Sequence, residues 1–323
     1  MDVDRILSVA PLSLTAQSTT RYREAHDKLS SVPEEEMKRV DRLYKVLDRL
    51  EHARSYQKVW PELDLPRLNR DLEQLGEELR ELGPVQRRTV HDLRGGTIFG
   101  LLVLPLDVLE TVVEFHELSS LARDHAKFMR SIFPTLDPER SRREEEAIQV
   151  HTVDSFLEAW RGRVVFQNQR PVRVKVGNDF HGAITSCCVE ASAIERVLVN
   201  LTNNAARFAV GPDVWLRVVG INDSLTRWCV LNEVPEEQLE WLRGRMGNNG
   251  LELFQAGVTR GGEGLGLGSC AEVVSRVLGV PNIQQLIESG FMGAGLLDRY
   301  FCCWFHWPTY SPGPEDRICA CGH

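Results

Sequence analysis

The apolar pattern of this chain changes period near Pro134, and that change restricts the fold more than any other feature. Before it, apolar residues recur at helical spacing; after it, short period-two runs alternate with amphipathic helical stretches. The first part therefore reads as a helical assembly. The second reads as an α/β sandwich with one mixed sheet covered by helices, which makes the whole chain α+β. Residues 134–146, with Pro134, Pro138 and the charged run from Glu139 to Glu146, read as the linker between them.

Residues 1–30 are polar without a clear period and read as a loosely ordered lead-in. Ser31, Val32, Pro33 and Glu34 have the form of a capping box. It opens a helix with Met37, Val40, Leu43, Leu47 and Leu50 on one side, broken by Pro61 and Pro66. Leu68, Leu72, Leu75, Leu79 and Leu82 then form a heptad seam, flanked by Asp71, Glu73, Glu77, Glu78, Arg80 and Glu81. Such a seam predicts a helix that pairs with a partner, within the chain or across a dimer. A second helical pattern runs from Val108 to Phe133 through Val112, His116, Ala122, His125, Met129 and Ile132. The two make a hairpin that needs a second hairpin to bury its stripe.

In the second part, residues 164–166, 172–176, 214–219, 227–231 and the aromatic run 299–307 read as strands. Residues 190–209 and 235–246 read as helices, the latter with acidic residues at its start. The net charge of −8 in 323 residues leaves no basic excess for general nucleic-acid binding. The longest apolar run, 97–106, is interrupted by Gly100 and Pro105 and is too short to span a bilayer. Met1 to Arg5 lacks the layout of a signal peptide, so the expected location is the cytoplasm. Most of the eight cysteines stand in apolar company and read as buried thiols rather than a disulfide framework. Cys319, Cys321 and His323 offer at most three metal ligands, in a tail.

Two stretches carry chemistry. In 261–269 glycine alternates with leucine and runs into a helix-like segment, so backbone N–H groups at a helix start could cradle a phosphate. A flexible hinge would read the same way. In the helix before it, Asn200, Asn204 and Arg207 fall on one face. Two carboxamide oxygens suit a hydrated Mg²⁺, and an arginine one turn on suits phosphate oxygens. Asparagine is a poor helix former, and Asn200, Asn203 and Asn204 stand within five residues mid-helix.

These motifs resemble those of sensor histidine kinases. Residues 200–208 look like the family's asparagine box and Gly262 to Gly268 like its second glycine box. Leu253-Phe254 resembles the phenylalanine box, and His91-Asp-Leu-Arg94 the phosphoacceptor box, on the first helix of a hairpin. All four occur in the family's order, over roughly residues 66–310.

The resemblance implies a helical dimerisation and phosphotransfer domain joined to an ATP-binding domain of the gyrase and heat-shock-chaperone type. It implies that Asn204, supported by Asn200, binds Mg²⁺ and that Arg207 contacts the phosphates. Gly262, Gly264, Leu265, Gly266 and Gly268 would shape the loop over ATP. His91 would be the phosphoacceptor and Asp92 its general base, an assignment consistent with a neutral imidazole as nucleophile and an adjacent carboxylate as proton acceptor. The expected partners are a response-regulator receiver domain, a second copy through the hairpin, and a separate sensor protein. The implied division is an input region (1–65), the hairpin and linker (66–150), the ATP-binding sandwich (151–312) and a flexible tail (313–323).

The first glycine box departs from the family. Where an aspartate and two glycines normally stand, this chain has Asn232, Glu233, Val234 and Pro235; Asn232 can still accept from the adenine amino group through its side-chain oxygen. Gly95 replaces the threonine or asparagine that often supports phosphatase activity, so that activity is not expected. His116-Glu-Leu-Ser119 is a competing acceptor box without a heptad helix before it, and His91 is preferred. The alternative reading is a histidine phosphotransfer or scaffold protein whose sandwich no longer binds ATP. A serine kinase of the anti-sigma-factor type is a third, against which the His91 box argues.

Overall fold

The computed structural model describes residues 3–15, 31–75, 86, 89–90, 93, 114–138, 149–167, 170–185, 188–246, 250–255, 266–312 and 317–318. The chain forms two compact units: residues 28–144, and residues 145–323 together with 1–27. The N-terminal lead-in is thus part of the second unit. It carries a helix, α1 (Val3–Leu7), whose Ile6 is fully buried.

The unit 28–144 is helical. Helix α2 (Glu34–His52) buries Val40, Leu43, Val46, Leu47 and Leu50, close to the side expected, with Met37 only partly covered. The expected capping box is absent. Pro33 occupies the N-cap without a side-chain bond, and Ser31 Oγ instead donates to Asp137 Oδ1 at 3.2 Å. Short helix α3 (Tyr56–Val59) and a 3-10 turn (Trp60–Glu62) lead to α4 (Leu65–Gln74), capped by Asp64, which accepts from the Arg67 N–H. The heptad seam does not run through as one helix: α4 stops at Gln74 and Leu75 is extended, with ψ of 119°. Gly76, the poorest non-proline helix former, follows at once. Leu79 and Leu82 lie outside the described residues.

Helix α5 (Phe115–Leu136) begins at a capping box in which Glu114 and Glu117 exchange bonds with each other's backbone. It packs along α2 through Tyr44 and Phe133, whose rings meet edge-on at 5.4 Å, while Ser119 Oγ donates to the Glu51 carbonyl at 2.9 Å. Arg42 of α2 grips the buried Asp71 of α4 with two bonds, of 2.7 and 2.6 Å. Gln86, Thr89, Val90 and Leu93 are helical and buried, recurring at the helical period.

The second unit is built on a six-stranded mixed sheet. After β1 (Gln149–Thr152) and α6 (Val153–Trp160) come β2 (Val164–Gln167), β3 (Arg170–Asp179), β4 (Ala183–Thr185) and the long α7 (Cys188–Phe208). The chain continues through β5 (Asp213–Asn222), β6 (Leu225–Glu233), α8 (Glu236–Arg243), a 3-10 turn (Leu251–Phe254), α9 (Gly266–Val277) and α10 (Ile283–Glu288). It finishes with β7 (Met292–Leu297), β8 (Tyr300–Pro308) and β9 (Arg317–Ile318). The sheet order is β2-β3-β5-β6-β8-β7, with β3 and β5 parallel and the other pairs antiparallel; β4, β1 and β9 make a smaller sheet. The expected strands and long helices are all present, within a few residues of their expected ends.

Side chains alternate across each strand. On one sheet face, Val214, Leu216 and Val218 of β5 lie in register with Asn232, Val230 and Trp228 of β6. Helix α7 packs against both strands and contributes Ile194, Val197, Leu198 and Leu201 to the core. The opposite face presents Val219, Cys229, Leu231, Cys302 and Trp304, and α1 covers these through Ile6. Among the described residues no helix is long and apolar enough to cross a membrane.

Candidate functional site

The asparagine motif lies in the last two turns of α7, and Gly266 and Gly268 form the first turn of α9, which packs beside it. The two meet at one point. A β-carbon placed on Gly266 would lie 3.2 Å from Asn204 Nδ2, so the Asn204 carboxamide rests against the glycine backbone. A side chain there would press on the Asn204 amide, which would have to give by a few tenths of an ångström. Gly268 has a second reason to lack a side chain, since a β-carbon there would lie 3.0 Å from the Phe254 carbonyl oxygen. The asparagine, glycine and Leu253-Phe254 motifs, separate in sequence, therefore converge where α7, α9 and the 3-10 turn meet. Cys270 Sγ, 3.8 Å from the Val197 carbonyl, ties the same two helices one turn further in.

On α7 and α9, Asn200 Nδ2, Thr202 Oγ1 and Ser269 Oγ are buried without a hydrogen-bond partner among the described residues, and so, on β6, are both Oδ1 and Nδ2 of Asn232. A buried polar atom left unmade is destabilising by about 1–3 kcal/mol, so such a group suits a ligand that completes it. Asn232 carries the strongest case. It is 1% exposed, on β6 between Val214 of β5 and Phe301 of β8, on the sheet face that α7 covers. Thr226, the other polar residue of that β6 face, donates to the Trp307 carbonyl at 3.0 Å and accepts from Trp228 Nε1 at 3.0 Å. Asn232 has no counterpart to either bond. Arg207 is exposed at the end of α7, its guanidinium 6.0 Å from the Phe208 ring centroid.

Thr202 and Ser269 were not singled out from the sequence. The available signal was a hydroxyl on an otherwise apolar helix face, which is common and carries little by itself. Among the described residues no group of three or more His, Cys, Asp and Glu side chains could hold a metal ion, so a cation here would rest on carboxamide oxygens. His91, Asp92, Gly262, Gly264 and Leu265 lie outside the described residues, as do Cys319, Cys321 and His323. Of the competing box, His116 falls in the first turn of α5. His125, further along α5, is half-buried on a helix that buries Ala122, Ala126, Met129 and Ile132.

No protein-family profile matches the chain, and no curated protein matches it. Solved structures do. The mycobacterial sensor histidine kinase MprB is 16% identical, with a TM-score of 0.31 over 58% of this chain and 94% of its own. Full-length ShkA, crystallised with AMPPNP, is 18% identical, with a TM-score of 0.33 over 75% of this chain and 46% of its own. The histidine kinase domain of the Erythrobacter litoralis blue-light activated kinase EL346 is 12% identical, with a TM-score of 0.32 over 84% of this chain and 94% of its own. Each of the three is a histidine kinase, the family whose motif order the sequence resembles.

Proposed function

We propose that the chain is an ATP-dependent protein-histidine kinase. It binds Mg-ATP at the convergence of α7 and α9, phosphorylates His91, and passes the phosphoryl group to an aspartate of a response-regulator receiver domain. The observation that supports this reading best is the contact of the Asn204 carboxamide with the backbone of Gly266. It joins an oxygen-donor pair on one helix to the opening turn of another, whose first N–H groups have no intrahelical partner.

The donor set fits the implied cation. Asn204 and Asn200 supply neutral oxygens, which suit a Mg²⁺ that keeps much of its water and takes its remaining ligands from phosphates. When bound, the ion neutralises charge on the transferred phosphoryl group. Arg207, exposed and one turn beyond Asn204, supplies a second cation. Asp92 holds the His91 ring in one tautomer and takes its proton as the imidazole attacks the γ-phosphorus, ADP leaving. The protein works in the cytoplasm as a homodimer joined through its helical hairpin, with its input from a separate sensor.

The acceptor assignment is tested by incubating His91→Gln with γ-labelled Mg-ATP. The expected outcome is loss of acid-labile label with nucleotide binding within about twofold of wild type, a change of under half a kcal/mol. Label persisting in that variant would remove His91 from the mechanism.

A further inference from the structure

Asn204 and Arg207 lie at the C-terminal end of α7, and a side chain from another element holds that end in place. A helix leaves its last carbonyls without an intrahelical partner. Val210, whose N–H would bond back to Ala206 if α7 continued, donates instead to the Glu233 carbonyl at 2.9 Å. Pro212, two residues on, has no N–H to offer. Arg170, the first residue of β3, takes up the carbonyls left over. Its Nη1 donates to the Val210 carbonyl at 2.9 Å, and its Nη2 donates to the carbonyls of Ala209 and, at 3.5 Å, Ala206. The sheet fixes where this guanidinium starts from. Arg170 is in register with Gln167 of β2, and the backbone N–H of Arg173 donates to the Pro212 carbonyl at 2.7 Å. The turn from α7 into β5 is therefore laid along the start of β3.

The end of a helix carries a partial negative charge, which Arg170 offsets with a full positive one. Its fork also sets where the last turn stands. Asn204 is two residues before Ala206, and its carboxamide rests against the Gly266 backbone. If that turn frays or shifts, the spacing between the Asn204 oxygen and the opening of α9 changes. Such donors work only while held to within about half an ångström. We infer that Arg170 is a positioning residue of this site: by clamping the end of α7 it sets Asn204 at the distance from α9 that a metal–nucleotide complex requires. The inference rests on the nucleotide reading above and adds to it a residue that acts through Asn204. Lysine would bring the charge without the planar fork that reaches three carbonyls.

The test is a titration of the full chain with Mn²⁺ in the presence of the non-hydrolysable analogue AMPPNP, read by the electron paramagnetic resonance of the free ion. Wild type, Arg170→Met, Asn204→Ala and the double variant form a cycle. Removing a group that orients a metal ligand lowers affinity about ten- to a hundredfold, so Arg170→Met is expected to weaken Mn²⁺ binding at least about tenfold. Because Arg170 acts through Asn204, the double variant is expected to match Asn204→Ala within about twofold. A general loss of structure would add to the effect of Asn204→Ala instead. A smaller loss in Arg170→Met, or additive losses in the double variant, overturns the inference and leaves the kinase reading standing. Wild type that takes up no Mn²⁺ with the analogue overturns both. Arg170→Lys decides the question where Arg170→Met does not fold: it is expected to bind Mn²⁺ at least about threefold more weakly than wild type, and unchanged affinity overturns the inference.

Discussion

Arg227 and His306 show how far a buried charge can be accommodated by backbone alone. They face each other across β6 and β8, both fully buried. Arg227 Nε donates to His306 Nε2 at 3.0 Å, and its two terminal nitrogens donate to the carbonyls of Ile6, Leu7, Ala10 and Pro11 at 2.7 to 3.0 Å. All five guanidinium protons are thereby used, against the negative end of α1. His306 must keep Nε2 free to accept, so its proton sits on Nδ1 and goes to the Phe291 carbonyl at 2.7 Å. Burial, reinforced by the adjacent Arg227 charge and opposed by that carbonyl, pushes its pKa down to about 3. Below the unfolded value near 6.5 the unfolded chain takes up a proton that the folded chain refuses, so stability falls as pH falls from 6.5 toward 3. Between pH 7.5 and 5 this one group removes about 2 kcal/mol, and His151, lowered by burial as well, acts with the same sign. Chemical denaturation at both pH values is expected to show this loss in wild type and a smaller one in His306→Gln. Equal slopes in the two proteins would remove His306 from the acid sensitivity. None of this was legible in the sequence, because a guanidinium whose partners are carbonyls leaves no charge pattern. Asn200, Asn204, Arg207 and the glycines were legible, because three asparagines within five helical residues and glycine alternation both run against propensity.

At the scale of elements, what escaped the sequence had a definite cause. Helix α1 is five residues long, too short for a periodic signal, and owes its place to Ile6 packing on Leu231, Cys302 and Trp304 and to the Arg227 grip. Strand β7 was not singled out from the sequence, because Gly293 and Gly295 interrupt its apolar pattern. Both lie beneath the Trp304 ring, where a β-carbon would come to 2.5 Å and 3.3 Å of it. The glycines serve packing rather than turning. The heptad failed in the other direction: its leucine spacing continues past Gly76, but α4 does not. By contrast α7, β5, β6 and β8 combine strong periodicity with burial, and their existence followed from pattern alone. The element-scale prediction concerns α1. Arg227→Met leaves four carbonyls and His306 Nε2 unpaired, and is expected to destabilise the second unit by about 3 kcal/mol. Hydrogen exchange at the described amides of residues 3–10 should quicken, with α7 protected as before. Unchanged protection of α1 would show that apolar packing alone holds it.

At the scale of the whole molecule, the chain is an α+β protein of two units. Its N-terminal residues are built into the sandwich rather than into the helical unit, although the resemblance placed them in an input region. That division was illegible because the strap's partners lie more than two hundred residues away, as for Arg227 and Leu7. The candidate site is assembled within the sandwich from three motifs that the sequence keeps apart, and His91, the proposed acceptor, falls within residues 28–144. The account therefore stands or falls on whether the sandwich performs chemistry that depends on Asn204. The direct measurement is incorporation of label from γ-labelled Mg-ATP into the full chain, wild type beside Asn204→Ala. Losing an oxygen donor to the cation is expected to lower incorporation at least about a hundredfold, close to 3 kcal/mol of transition-state stabilisation. Acid-labile label in wild type that is lost in the variant is the predicted result. Equal labelling of the two proteins, or none in wild type, would contradict it.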